Sequence, residues 1–140
     1  MKNNIKVVGI DVYGTILATE DPENLLGPRK GFNELIKKLK TQKIQIVTTS
    51  DADLTNLKID LKENKIDPNI FYDMYELKTD PKDYTWILRD FKIKSKELLI
   101  IGDTDKDIEG AQRIRARYIR VPQRIGIGDE YSLENIIPIL

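Results

Sequence analysis

One repeated alternation constrains this chain more than any other feature. Short apolar runs at residues 5–10, 44–47, 98–101 and 118–121 are separated by stretches with helical spacing. Strand, helix and strand in succession build a parallel sheet covered by helices. The first run is continuous and β-branched, as expected of a strand buried on both faces. Phe32, Leu35, Ile36 and Leu39 then recur at helical spacing and predict a helix over residues 31–41. Leu54, Leu57 and Leu61 mark the inner face of a second helix, capped by Asp51 or Asp53 and ended at Asp67-Pro68. Residues 70–77 read as a short strand and a loop. Asp80-Pro81 predicts a helix start, with Asp as cap and Pro in the first turn. Tyr84, Ile87, Leu88 and Phe91 line one face of that helix, so Tyr84 and Trp86 are expected in the core. A helix over residues 105–115 precedes the last strand. The apolar tail, residues 131–140, docks on the sheet or on a second subunit. With 140 residues, no repeat and no low-complexity segment, a single domain over residues 1–140 is expected.

Composition removes several chemistries. The chain has no cysteine and no histidine, which excludes disulfides, thiol nucleophiles, Ser–His triads and His-ligated zinc. Catalysis is left to carboxylates, lysines, hydroxyls and backbone amides. The 23 acidic and 23 basic residues cancel, so no overall charge favours a nucleic acid or a membrane surface. Arginines 113, 115, 117 and 120 form a local cluster that fits a solvated helix end and strand. No apolar run reaches the ~20 residues needed to span a bilayer, and no signal peptide opens the chain, so a cytoplasmic location is expected.

In an open parallel sheet, ligands bind beyond the carboxyl ends of the strands. Asp11, Thr48 and Asp103 end three of the strands there, and Lys78 precedes a helix on a connecting loop. An aspartate at a strand end is often only a helix cap, and Asp103 and Asp107 taken alone fit that role equally well. The convergence of all four positions on one crevice is what capping does not predict.

The residues that converge also carry a resemblance. The run VVGIDVYGTIL resembles the first motif of the haloacid dehalogenase-like (HAD) superfamily, usually D-x-D-G-T after a strand. IQIVT resembles the second motif, KTDP the lysine of the third, and LLIIGDTDKDIEGA the G-D-x-x-x-D fourth motif, in family order. The resemblance implies a three-layer, Rossmann-like parallel sheet flanked by helices. It further implies Mg2+-dependent phosphoryl transfer from a phosphomonoester to Asp11 as nucleophile. By the same resemblance, Asp11, the backbone carbonyl of Tyr13, Asp103 and Asp107 hold the metal, an all-oxygen set suited to a hard cation. Thr48 binds a phosphoryl oxygen, with Thr49 or Ser50 able to take its role if the strand ends later. Lys78 offsets charge in the transition state, and Gly14, Thr15 and Thr49 complete the phosphate contacts.

One position departs from the pattern: Tyr13 stands where phosphatases of the superfamily carry a second catalytic Asp. Tyrosine, with an ordinary pKa near ~10, is a poor base at neutral pH. A phosphatase remains the first expectation. A slow phosphotransferase or a non-catalytic regulatory domain is the alternative, and a 2-haloacid dehalogenase ranks below, because dehalogenases generally lack the metal-binding Asp of the fourth motif. Residues 16–43 and 51–77 are too short for a sizeable cap domain. An open site suits a large phosphorylated substrate, or a second copy of the chain that covers it.

Overall fold

The computed structural model describes residues 4–128 and 131–140. Five parallel strands form one sheet: β1 (Val7–Ile10), β2 (Gln45–Thr48), β3 (Asp73–Met74), β4 (Leu98–Gly102) and β5 (Arg117–Arg120), in the spatial order β3-β2-β1-β4-β5. Four helices join them: α1 (Phe32–Thr41), α2 (Leu54–Glu63), α3 (Thr85–Phe91) and α4 (Asp105–Arg113). The parallel α/β fold expected from the alternation is the fold observed. β1 is central, with Ile10 level with Thr48 on one side and Ile101 on the other. From β1 the chain winds outward to β3, then crosses to β4 and β5. The reversal lies between β1 and β4, where an open α/β sheet leaves its crevice.

Two hydrophobic layers sandwich the sheet, and strand periodicity decides which side chain joins which. Val8, Ile10 and Ile46 pack with Phe32, Leu35, Leu57 and Leu61 of α1 and α2. Val7, Val47 and Ile100 face Tyr84, Ile87 and Ala111 near α3 and α4. The tail folds back on its own core: a 3-10 segment, Leu133–Ile139, packs against α1 with Leu133 and Ile136 buried, and Leu133 N–H donates to Lys30 O. Among the described residues no helix is long and apolar enough to cross a membrane.

Two expectations need correction. No helix begins at Asp80-Pro81; α3 starts at Thr85 after Tyr84. Residues 80–84 are drawn instead to the start of α4, where Lys82 N–H donates to Lys106 O (3.2 Å) and Tyr84 OH donates to Asp107 O (3.2 Å). Tertiary bonds have overridden a good local capping signal. Trp86 is half exposed, with the Arg89 guanidinium 4.2 Å above its ring, so it covers surface while Tyr84 is fully buried.

Candidate active site

The chain leaves β1 at Asp11 and turns at once. Ile16 and Leu17 N–H both donate to Val12 O, and Gly14 N–H donates to Leu17 O at 2.7 Å. Gly14 has φ +86°, and a Cβ there would sit 2.2 Å from Asp103 Oδ2. Only glycine lets this turn lie against the end of β4. Thr15 Oγ1 donates to Asp103 Oδ1 at 3.0 Å, tying the same turn to the aspartate that follows β4. At Gly102 a Cβ would meet Asp107 Oδ2 at 2.4 Å, so a second glycine admits the other fourth-motif carboxylate.

Asp11, Asp103 and Asp107 are all buried and each offers a carboxylate oxygen, all within 4.8 Å of one another. Asp107 performs both of the roles the sequence left open. Its Oδ2 accepts from Thr104 N (3.1 Å) and Thr104 Oγ1 (2.8 Å) as a capping box. Its Oδ1 faces the cluster and meets Lys82 Nζ at 2.6 Å. Lys82, itself buried, also donates to Asp11 Oδ1 at 3.1 Å. Although burial opposes its charge, Asp11 and Asp107 hold its ammonium above the ordinary lysine range. One ammonium does not offset three carboxylates. Burial foremost, against the pull of Lys82 and with the nearby charge of Asp107, pushes Asp11 up to about 8. A compact all-oxygen donor set that is short of positive charge fits a hard divalent cation.

The lysine expected at this place was Lys78. It is exposed, pairs with Glu76 at 3.4 Å and donates to Asp51 O at 3.3 Å. Both lysines flank the same Asp80-Pro81 pair, and what separates them is the tether of residue 82 to α4. That long-range bond has no local sequence signal. The second-motif residues also divide. Thr48 shares its face of β2 with Ile46, on the α1–α2 side, and its hydroxyl is buried with no hydrogen-bond partner among the described residues. The Thr49 methyl lies near Gly9 and Ile87 on the opposite face. Ser50, the third of the run, lines the cleft.

That cleft, about 170 Å³, is walled by Asp11, Tyr13, Ser50 and Asp103, with Lys82 and Lys106 at its cationic side. Lys106 Nζ pairs with Asp51 at 2.9 Å across its rim. A larger groove of about 450 Å³ lies beside β3, but it is a surface between α2 and an edge strand and contains none of the clustered carboxylates. The Tyr13 hydroxyl donates to Asp60 Oδ2 on α2. Burial, and then this bond and the charge of Asp60, raise the Tyr13 pKa well above the ordinary tyrosine value. Asp60 was not foreseen from the sequence.

Buried arginines hold the loop after β1 in place. Arg124 Nη1 donates to Ile16 O and Gly27 O, both at 2.8 Å, and Arg124 N–H donates to Gly14 O at 2.7 Å. Arg29 Nη1 reaches Thr15 O at 3.4 Å while its guanidinium lies 4.8 Å above the Tyr131 ring. The turn after β1 is thus supported in part from the segment beyond β5.

Comparison with known proteins agrees with the motif order. A search of curated protein sequences finds no match. Among solved structures, the fold superposes on CbbY from Rhodobacter sphaeroides in complex with phosphate, at 14% identity and a TM-score of 0.71, covering 92% of this chain and 91% of that one. It superposes on a dehalogenase at 14% identity and a TM-score of 0.79, covering 100% and 99%. A haloacid dehalogenase-like hydrolase from Streptococcus pneumoniae matches at 12% identity and 0.74, covering 99% and 100%. At such identities these likenesses establish the fold alone. The sequence itself goes further: residues 2–121 match the profile of the family described as haloacid dehalogenase-like hydrolase. The chain belongs to the haloacid dehalogenase-like hydrolase family.

Proposed function

We propose that this chain is a single-domain, capless, Mg2+-dependent phosphatase that acts on a phosphomonoester through phospho-Asp11. One observation carries the reading: a buried carboxylate at the switch point of the sheet, Asp11, shares its cleft with Lys82, Asp103 and Asp107. The residues that would hold the metal are Asp11, Asp103, Asp107 and the Tyr13 carbonyl. Bound Mg2+ would supply positive charge to the phosphoryl oxygens and keep Asp11 ionised.

The remaining chemistry falls to the chain's own groups. An Asp11 oxygen attacks phosphorus and the ester P–O bond breaks. The leaving oxygen takes its proton from solvent, since no carboxylate stands at position 13. Water then attacks phosphorus, the acyl-phosphate bond breaks, and Asp11 is regenerated with release of phosphate. Lys82 fixes Asp11 Oδ1 and places an ammonium beside the charge that develops on the phosphoryl group. In this reading Lys82 takes the part the motif pattern gave to Lys78, and Ser50 stands nearer the phosphoryl group than Thr48. Thr15 positions Asp103, and Gly14 admits its close approach.

A specific observation favours slow turnover as the second reading. The Tyr13 proton is committed to Asp60, so its hydroxyl neither protonates the leaving oxygen nor serves as a base at neutral pH. General acid–base assistance is typically worth about 10²–10⁴-fold. Intact-mass and phosphate-release measurements with Mg2+ and an activated phosphodonor, on wild type and Asp11→Asn, test both. Phosphate release lost in the variant supports the phosphatase. A persistent gain of one phosphoryl group supports a stalled or transferring enzyme. Neither signal, with Mg2+ bound, would leave a regulatory domain as the better account.

A further inference from the structure

We propose that the substrate is a phosphorylated polypeptide segment in which a basic and an aliphatic side chain lie beside the phosphorylated residue. The inference deepens the phosphatase reading and rests on it. A second pocket, of about 210 Å³, is lined by Glu20, Asp21, Glu23, Leu25, Leu26 and Ile127. It adjoins the phosphoryl cleft. Thr19 lines the cleft and Glu20 lines the pocket, so consecutive residues serve the two sites. The wall between them is fixed, because Thr19 N–H donates to Arg124 O (3.1 Å) and Glu20 N–H to Ile125 O (2.7 Å).

The pocket combines two features that seldom occur together on a solvent-facing loop. Its apolar side chains are bare: Leu25 is 67% exposed and Ile127 93%, with Leu26 beside them. Single exposed aliphatic residues are ordinary, whereas a gathered set beside a cleft marks a contact surface. Its rim carries three carboxylates within four residues. None of them pairs with a lysine or arginine among the described residues; Asp21 Oδ2 accepts the Leu26 N–H at 3.0 Å, and its carboxylate faces backbone N–H groups of its own turn.

The cleft therefore asks for an anion and its neighbour for a cation on an apolar stem. Lysine and arginine have that form, an aliphatic stem with a charged end. A polypeptide presents a phosphorylated residue and such a side chain about 3.8 Å apart along its Cα trace, which matches two sites that share a wall. A small phosphate ester could fill the cleft but would leave the second pocket empty.

The test uses the full chain with Mg2+ and three phosphoserine peptides of equal length, flanked by Lys-Leu, Glu-Leu or Gly-Gly, with p-nitrophenyl phosphate as reference. The Lys-Leu peptide is expected to exceed the Glu-Leu peptide in kcat/KM by about tenfold, an advantage that shrinks with added salt. In the Glu20→Gln/Glu23→Gln variant the advantage disappears while the rate on p-nitrophenyl phosphate stays unchanged. Equal kcat/KM for the three peptides, or a small aminoalkyl phosphate that outperforms all of them, overturns the proposal. Failure of the phosphatase reading itself is separable. If no ester is hydrolysed, anisotropy with phosphonate analogues of the same peptides still decides: a Lys-Leu preference that needs Glu20 and Glu23 upholds the docking surface, and equal binding removes it.

Discussion

Replacing Lys82 by methionine is the substitution that most sharply divides the geometry from the motif pattern. Its ammonium meets Asp107 Oδ1 at 2.6 Å and Asp11 Oδ1 at 3.1 Å, with the lysine and both carboxylates buried. At an effective dielectric near 20, the pair with Asp107 has a gross attraction of about 6 kcal/mol; Asp11, whose carboxyl is raised to about 8, is largely protonated without metal and contributes mainly a hydrogen bond. Desolvating each ion costs several kcal/mol, so the net is far smaller than that gross figure. Breaking such a pair nevertheless leaves carboxylates buried together without their cation, typically a loss of about 3–5 kcal/mol. Lys78→Met removes only an exposed bridge to Glu76, worth about 0–1 kcal/mol. Urea denaturation in EDTA is thus expected to separate the two variants by at least about 2 kcal/mol. Mg2+ should narrow the gap, because a divalent ion offsets the same carboxylates. Phosphate release should fall about 10²–10³-fold in Lys82→Met and hardly change in Lys78→Met. Equal stability of the two variants, or activity lost only with Lys78, would refute the reasoning.

Other outcomes follow from the same contacts. Gly14→Ala must adopt a positive φ and place a methyl 2.2 Å from Asp103 Oδ2, so denaturation should register a loss of about 2–4 kcal/mol; a loss below about 1 kcal/mol would mean that the turn rearranges freely. Tyr13→Asp restores a carboxylate at the cleft and releases the bond to Asp60, and decay of phospho-Asp11, followed by intact mass, should quicken about 10²–10⁴-fold. Unchanged decay would show that hydrolysis is limited elsewhere. The Asp11 pKa is raised from 3.8 to about 8, above its unfolded value. The metal-free fold therefore holds an extra proton, and its contribution to stability is present below pH about 4 and lost as pH rises through about 8. Mg2+ competes with that proton. Calorimetry in buffers of different ionisation enthalpy should find proton release on binding, with affinity rising toward pH 8; binding without proton release would contradict the raised Asp11.

What the sequence disclosed, and what it withheld, follows the range of the interactions. The central strands were legible because burial on both faces demands continuous apolar runs, and Asp11 and Asp103 were legible because they terminate those runs. Helix periodicity located α1 within a residue and the start of α2 at Asp53, one of its two candidate caps, while α2 stops at Glu63, short of the Asp67-Pro68 end the sequence suggested. Lys82 was not legible, since its choice over Lys78 depends on a backbone bond to Lys106, 24 residues away. Asp60 escaped notice because it sits on a helix with nothing locally unusual about it, and its partner Tyr13 is 47 residues distant. Trp86 misled for a simpler reason. The helix it occupies begins four residues later than its capping signal implied, so residue 86 falls at its exposed start, where the ring packs under Arg89.

The two hydrogen bonds that Arg124 donates to Ile16 O and Gly27 O also bear on how such a chain can be enlarged. The guanidinium clasps the loop after β1 at both of its ends. Between those ends, Pro22 to Leu26 form a surface arc, held largely by the turn bonds to Asp21. An insertion placed in that arc would begin and finish on fixed anchor points, with Gly14, Thr15 and the carboxylates below untouched. The chain thus contains a ready-made graft point beside its cleft. A laboratory fusion of a folded module there should leave the catalytic geometry standing and change only what is allowed to reach it.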